Sequence, residues 1–322
     1  MRESSACSST TMMSNGAIAT QRFSQVRPSH PDTPLVTIGV PVYNSERNLR
    51  ASLEAALAQT LTDIEVLISD NASTDSTPKI CAEYVRSDPR VSYFRQPRNI
   101  GVARNWNFVA MKARGRYLKW MSSNDTCEPT MLARCVEVLE REPSVVLCYT
   151  RSRKIDETGK DLGLFSNDIS FDDESASERF LCMCSQFTSN VFGGVVRVDA
   201  LRRTRLNLPY PHSDRVLFPE LALAGKILLL PEVLLNRRVD AASYSGVLSP
   251  GKLSEMFNPE ARFRSRFVHL RRHVDLVIAV LRAPLSTRER IRSLANCARH
   301  LNWDRSALKA DFRELFSREP RP

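Results

Sequence analysis

No window of the 322-residue chain holds the ~18 uninterrupted apolar residues of a membrane-crossing helix; the nearest runs, residues 227–235 and 274–281, are far shorter. A helical span is excluded. The eight cysteines, at positions 7, 81, 127, 135, 148, 182, 184 and 297, form no C-x-x-C pair. Four zinc ligands at knuckle spacing therefore cannot be assembled, and the thiols read as reduced core fillers. Glycine and proline, 11 and 18 in number, are too few for a collagen-like or low-complexity chain, and 42% hydrophobic residues at this length can bury a sizeable core. Neither G-x-G-x-x-G nor G-x-x-x-x-G-K-[ST] occurs, which removes the usual dinucleotide and P-loop routes to a nucleotide. The first residues, Met-Arg-Glu-Ser-Ser, lead into no apolar h-region, so the expected compartment is the cytoplasm.

Positive charge is plentiful. The formal net charge is +10, and residues 251–322 alone hold sixteen Lys or Arg against eight Asp or Glu. A nucleic acid, an anionic lipid surface and a nucleotide-linked substrate would each suit that excess. Nucleic acid is the weakest of the three, because no recognition helix or aromatic-rich single-strand platform accompanies the charge.

Residues 1–33, rich in Ser, Thr and Pro, read as a flexible tail. From residue 35 the texture alternates between short β-branched runs and amphipathic segments. Strands are expected at 35–40, 64–69, 91–94, 117–121 and 145–149, and helices at 46–59, 73–86, 104–113 and 130–140. Such alternation predicts an α/β fold, a mainly parallel sheet with helices on both faces. The expected units are 34–150, 151–249 and a basic helical extension, 250–322. In the second unit, Gly193-Gly194 would let a ligand or another chain come close.

Ligands of such sheets gather beyond the carboxyl ends of the strands. Those ends are polar here: Pro41-Val-Tyr43-Asn44, Asp70-Asn71, the loop with Asn99 and Gly101, and Ser122-Ser-Asn-Asp125. Each alone is an ordinary turn. Four on one rim make a site.

The pieces Gly39-Val-Pro-Val-Tyr-Asn-Ser-Glu46, Ala58-Gln-Thr60, Ile64-Glu-Val-Leu-Ile-Ser-Asp-Asn-Ala-Ser-Thr-Asp75, Asn99-Ile-Gly101, Gly115-Arg-Tyr117 and Ser122-Ser-Asn-Asp125 resemble, in order and spacing, family 2 of the inverting glycosyltransferases. The resemblance implies a GT-A type, Rossmann-like fold and transfer of a sugar, with inversion, from a nucleoside-diphosphate sugar, UDP-linked by preference. The acceptor would be a saccharide or a lipid-linked molecule, in polysaccharide or glycoconjugate synthesis. Tyr43 offers an aromatic face to the nucleotide base, with Pro41 beside it in the same motif. Asp70 takes, by resemblance, the role of accepting a base N–H, and Arg104 is placed to meet phosphate or base. Ser123 and Asn124 lie by the diphosphate.

Most members of that family carry an aspartate pair at the positions of Ser122 and Asn124, holding a divalent cation, Mg2+ or Mn2+, which the resemblance implies for this chain as well. Only Asp125, with the amide of Asn124, survives as a metal ligand, and neutral oxygens attract a hard cation less. Asp240 stands near the place of the family's late His, and Arg237 and Arg238 offer positive charge to the leaving diphosphate. A second block, Ser213-Asp-Arg-Val-Leu-Phe-Pro-Glu-Leu-Ala-Leu-Ala-Gly225, looks like the segment that carries the catalytic base. The resemblance makes Asp214 the expected base, taking the proton of the acceptor hydroxyl. His212 is adjacent, and Glu220 reads as structural. The loss of the aspartate pair also motivates an alternative, a non-catalytic sugar-nucleotide or glycan-binding protein.

In the basic extension, Phe263, Phe267, Leu270, Val274, Val277, Ile278 and Leu281 recur at three- and four-residue steps. Docking of that stripe on the catalytic domain and a peripheral seat on the anionic inner face of a membrane are both open.

Overall fold

The computed structural model describes residues 33–239, 250–260 and 267–316; the expected tail, Asp240 and Phe263 fall outside them. Strand β1 (Val36–Val42) alternates. Val36, Ile38, Val40 and Val42 enter one core with Leu49, Leu53 and Ala56 of α1 (Leu49–Leu57). On the other face, a Cβ at Gly39 would lie 2.8 Å from Val109 Cγ2, so the glycine sets how closely α3 (Val102–Lys112) packs.

Parallel strands β2 (Ile64–Asp70), β3 (Val91–Arg95) and β4 (Tyr117–Trp120) join β1, as the periodicity predicts. Helices α2 (Thr77–Ser87) and α3 make the crossovers. Pro41, expected to close the first strand, sits inside it. Val42 O accepts from Asn71 N on the β2 side, whereas Gly39 O accepts from Met121 N on the β4 side. The missing N–H of Pro41 therefore faces the side where β4 has already ended, and no ladder bond is lost.

Beyond β4 come the short β5 (Thr126–Cys127), α4 (Met131–Arg141), β6 (Val145–Ile155), β7 (Asp161–Leu164), α5 (Ala176–Ser185), a 3-10 turn (Ser189–Gly193), β8 (Val195–Arg197), α6 (Val198–Arg203), α7 (Asp214–Ala224) and β9 (Lys226–Arg238). The sheet order is β3-β2-β1-β4-β8-β6-β9-β5, with β7 added beside β6. β8, β5 and β7 run against the rest. The expected division between residues 150 and 151 falls inside β6, which pairs in parallel with β9 from Val145↔Lys226 to Ile155↔Arg238. One sheet thus serves both halves. The sequence pattern ended this strand at Tyr149 because the apolar run stops there; the polar continuation is held by backbone pairing to β9 and β7.

Gly193 and Gly194 are approached by the chain itself. Added Cβ atoms would meet Leu235 Cδ2 at 2.2 Å and Cys148 O at 2.7 Å.

The extension forms α8 (Pro250–Phe257), α9 (Val268–Arg282), α10 (Thr287–Trp303) and α11 (Arg305–Phe316). The stripe read from the sequence docks only at its margin: Val277 packs against the domain, while Leu270, Val274, Ile278 and Leu281 are exposed. Instead Leu276 and Val280 enter a cluster with Phe180, Val216, Leu223 and Cys297, each stabilising by about 1.5–3 kcal/mol. A buried polar network fixes that choice of face. Arg205 Nη1 donates to Asp275 Oδ1 at 2.7 Å and Tyr210 Oη to Asp275 Oδ2 at 2.6 Å, while Glu220 Oε2 accepts from Arg205 N at 3.2 Å. Asp275 can be satisfied only if α9 turns this side inward.

Candidate active site

The loops after β1, β2 and β4 are stitched into one wall. Asn44, in the left-handed region at φ 48°, donates its N–H to Ser73 Oγ (2.9 Å), and its Oδ1 accepts from Thr74 N (2.8 Å). Ser45 N donates to Thr77 Oγ1 (2.8 Å), and Ser123 Oγ donates to Ser45 Oγ (2.8 Å). Ser52 Oγ donates to the carbonyl of Asp125 (2.7 Å). The strained Asn44 persists because these bonds over-determine it.

Tyr43 stands on the rim, 43% exposed, with its face available; Pro41 is buried behind it. Asp70 does not face the crevice. Its side chain has no exposure, Oδ1 accepts from Ser73 N (2.8 Å), and Oδ2 accepts from Tyr93 Oη (2.7 Å). The expected contact with a base is therefore corrected: this carboxylate holds the loop. Asn71, next to it, fastens the following loop, giving Nδ2–H to Asn99 Oδ1 (2.9 Å) and accepting from Ile100 N (2.8 Å). Arg104 is half-exposed and carries a surface ion pair. Its Nη1 pairs with Glu260 Oε2 at 2.6 Å, and Arg98 shares the same carboxylate, so the segment after α8 is strapped over this loop.

At the 122–125 turn, Ser123 is buried, and Asn124 Oδ1 accepts from Asn48 Nδ2 at 3.4 Å. Asp125 points toward the end of β9, where Oδ1 accepts from Arg238 N (3.1 Å). Burial raises its carboxyl above the usual range, opposed by Arg237, the Arg238 amide and Lys119. Neutral oxygens at 122 and 124, with one carboxylate already hemmed by three cations, do not fit a hard divalent cation. Among the described residues, the one group of His, Cys and acid side chains with metal spacing is His273, His300 and Asp304 on the C-terminal helices, where Arg272 already pairs with Asp304.

Arg237 connects this turn to the 3-10 turn after α5. It donates to Ser189 Oγ (3.1 Å) and Asn190 Oδ1 of the 3-10 turn and lies over the Phe165 ring. From that turn an aromatic run continues. Phe192 meets Trp120 at the end of β4 (centroids 5.8 Å) and Phe218 of α7 (4.8 Å), which is four residues from Asp214.

Asp214 begins α7, half-buried, with Oδ1 accepting from Arg215 N at 3.0 Å. Burial raises its carboxyl above the ordinary value, opposed by His212 and Arg215. A carboxylate moved toward neutrality at a helix start suits proton abstraction. His212 is held at φ 62°, a second strained backbone at this rim. Glu220, as expected, is structural, bound to Arg205.

Residues 37–191 match the profile of glycosyl transferase family 2. That segment, just under half of the chain, thus resembles a family 2 glycosyltransferase domain. Chondroitin synthase of Escherichia coli is 36% identical over 126 residues, 39% of this chain and 18% of that protein. The chain thus spans less than a fifth of that relative's length. A glycosyltransferase of Rickettsia typhi is 29% identical over 216 residues, 65% of each chain. Among solved structures, S. aureus TarS 1–349 in complex with UDP superposes with TM-score 0.60 at 16% identity, covering 84% of this chain and 73% of that one. TarS 1–349 in complex with UDP-GlcNAc gives 0.59 at 16% identity, covering 84% and 74%. The fold is accordingly of GT-A type.

Sequence reasoning missed one organising residue of this glycosyltransferase domain. Lys119 is fully buried in β4, and its Nζ donates to the carbonyl of Gly193 at 2.5 Å, fastening the central strand to the 3-10 turn. Burial lowers its ammonium from the usual value, partly offset by the thiols of Cys127 and Cys135 and by Asp125. A lysine inside the short apolar run Tyr117-Leu-Lys-Trp120 was the available signal.

Proposed function

We propose that this chain transfers a sugar from a UDP-linked donor to a saccharide or lipid-linked acceptor, inverting the anomeric centre, in polysaccharide or glycoconjugate synthesis. One observation carries the reading. Asp214, with its carboxyl raised by burial, heads a helix that an aromatic run and Arg237 join to the stitched strand-end wall. In the reaction, Asp214 takes the proton of the acceptor hydroxyl while that oxygen bonds to the anomeric carbon from the face opposite the nucleotide. The bond from that carbon to the diphosphate oxygen breaks, and the diphosphate leaves with the electron pair. Tyr43 supplies the platform for the base, Ser123 and Asn124 border the diphosphate, and Arg237 and Arg238 lend it positive charge. The half from 151 to 249 receives the acceptor.

The divalent cation implied by family likeness finds no charged oxygen at residues 122 and 124, so in this proposal it is dispensable. TarS in complex with UDP and with UDP-GlcNAc supports a uridine nucleotide. No described helix is long and apolar enough to cross a membrane, and the proposed location is cytoplasmic and membrane-peripheral.

A panel of UDP-, dTDP- and GDP-sugars, read by thermal shift and nucleotide release with and without Mn2+, tests the function. Stabilisation and release with UDP-sugars are expected. Binding without turnover would favour the non-catalytic alternative that Ser122 and Asn124 motivate, and no stabilisation by any donor would overturn both.

A further inference from the structure

Helix α9 is amphipathic twice over. Its inner side docks on α7 through Leu276, Val280 and Asp275, yet Leu270, Val274, Ile278 and Leu281 remain 36%, 50%, 36% and 56% exposed. Spaced four, four and three residues apart, they make one continuous stripe, and no described residue covers it. A contiguous apolar strip on a folded domain marks a contact surface rather than scatter.

The charge around it is one-sided. All four acids in residues 267–311 are spent internally. Asp275 holds Arg205 and Tyr210, and Glu289 accepts from Ser177 N (2.7 Å). Asp304 pairs with Arg272 and His273, and buried Asp311 accepts from Leu270 N (2.9 Å). Apart from Arg272, buried against Asp304, and half-buried Arg290, the arginines of α9 and α10 are exposed, Arg271 with its guanidinium over the Tyr210 ring. Arg271 and Arg282 fall along one margin of the stripe at 100° per residue, and Arg288, Arg292 and Arg299 are exposed on α10. Trp303, 57% exposed, ends the same helix pair.

We propose that the outer face of α9 is the seat for an anionic lipid bilayer, its apolar stripe entering the headgroup boundary and its arginine margin meeting lipid phosphate. A second copy fits less well: an antiparallel two-fold contact would set each arginine margin against its own duplicate. The seat rests on the peripheral location proposed above and names the surface responsible. Vesicle binding reads it without sugar transfer, and UDP release in solution reads transfer without the seat, so the two can fail separately.

The experiment is flotation of the full chain with phosphatidylcholine vesicles, with and without phosphatidylglycerol, at low and raised salt. Binding is expected only with the anionic lipid, weakening as salt rises. Val274→Glu and Leu281→Glu, both at exposed positions where melting should be unchanged, should each lower partitioning by about tenfold or more. Met111→Glu, an exposed apolar site on α3, should leave it unchanged. Absence of binding at low salt overturns the proposal, as does binding indifferent to the 274 and 281 changes. Light scattering that shows a dimer dissolved by Val274→Glu, without vesicle binding, overturns it in favour of self-association.

Discussion

Replacing Asp214 by Asn keeps the side-chain shape and an oxygen for the Arg215 N–H but removes the proposed proton acceptor. General-base contributions are typically ~10^2–10^4 in rate, or about 3–5 kcal/mol of barrier. The structure places this case toward the upper end, because Glu220, the next acid in α7, is committed to Arg205 and cannot substitute. The same change has an opposite effect on stability. The folded carboxyl is raised above its unfolded value, so the stability it contributes is fully present below ~3.9 and is lost as pH rises through the folded pKa. Near neutral pH the ionised, half-buried group is a burden that Asn relieves. Asp214→Asn should therefore melt above the unaltered chain near neutral pH, and that gain should vanish in acid. In the unaltered enzyme kcat/KM should fall as pH drops through the raised pKa, at a pH above that of an ordinary aspartate. UDP release and calorimetry across pH read both effects. Undiminished turnover of Asp214→Asn refutes the base; a lower melting temperature near neutral pH shows a helix-start role instead.

Asp70→Ala removes two hydrogen bonds to a carboxylate with no exposure, worth about 1.5–3 kcal/mol each. Denaturant unfolding should show a loss of about 3 kcal/mol or more, and a raised KM for the donor with unchanged stability would refute the inward reading. Asp275→Ala strands Arg205 and Tyr210 beneath α9 and should cost about 3–5 kcal/mol, with hydrogen exchange of that helix accelerated first; a loss below about 1 kcal/mol would refute the docking account. Turnover should persist in excess chelator, and Asn124→Asp should make the enzyme respond to Mn2+ at roughly tenfold lower concentration. Activity of the unaltered chain that disappears with chelator and returns with Mn2+ would show that the neutral turn holds a metal after all.

The strands and helices of residues 35–149 were legible in the sequence, because burial on both faces writes continuous β-branched runs and crossover helices write a three-to-four residue period. The polar strand ends, and Asp214 at the start of an apolar-periodic helix, were legible for the same reason: local pattern fixes where a loop or a helix begins. Partners were not. Asp70 and Arg104 looked free because sequence gives a charge but not what lies opposite it. Only the fold brought Tyr93 to Asp70 and Glu260 to Arg104. The joining of β6 to β9, eighty residues apart, depends on backbone pairing that side-chain pattern does not encode. The face of α9 that docks was likewise decided by a buried carboxylate needing Arg205 and Tyr210, a requirement stronger than the apolar period of the helix itself.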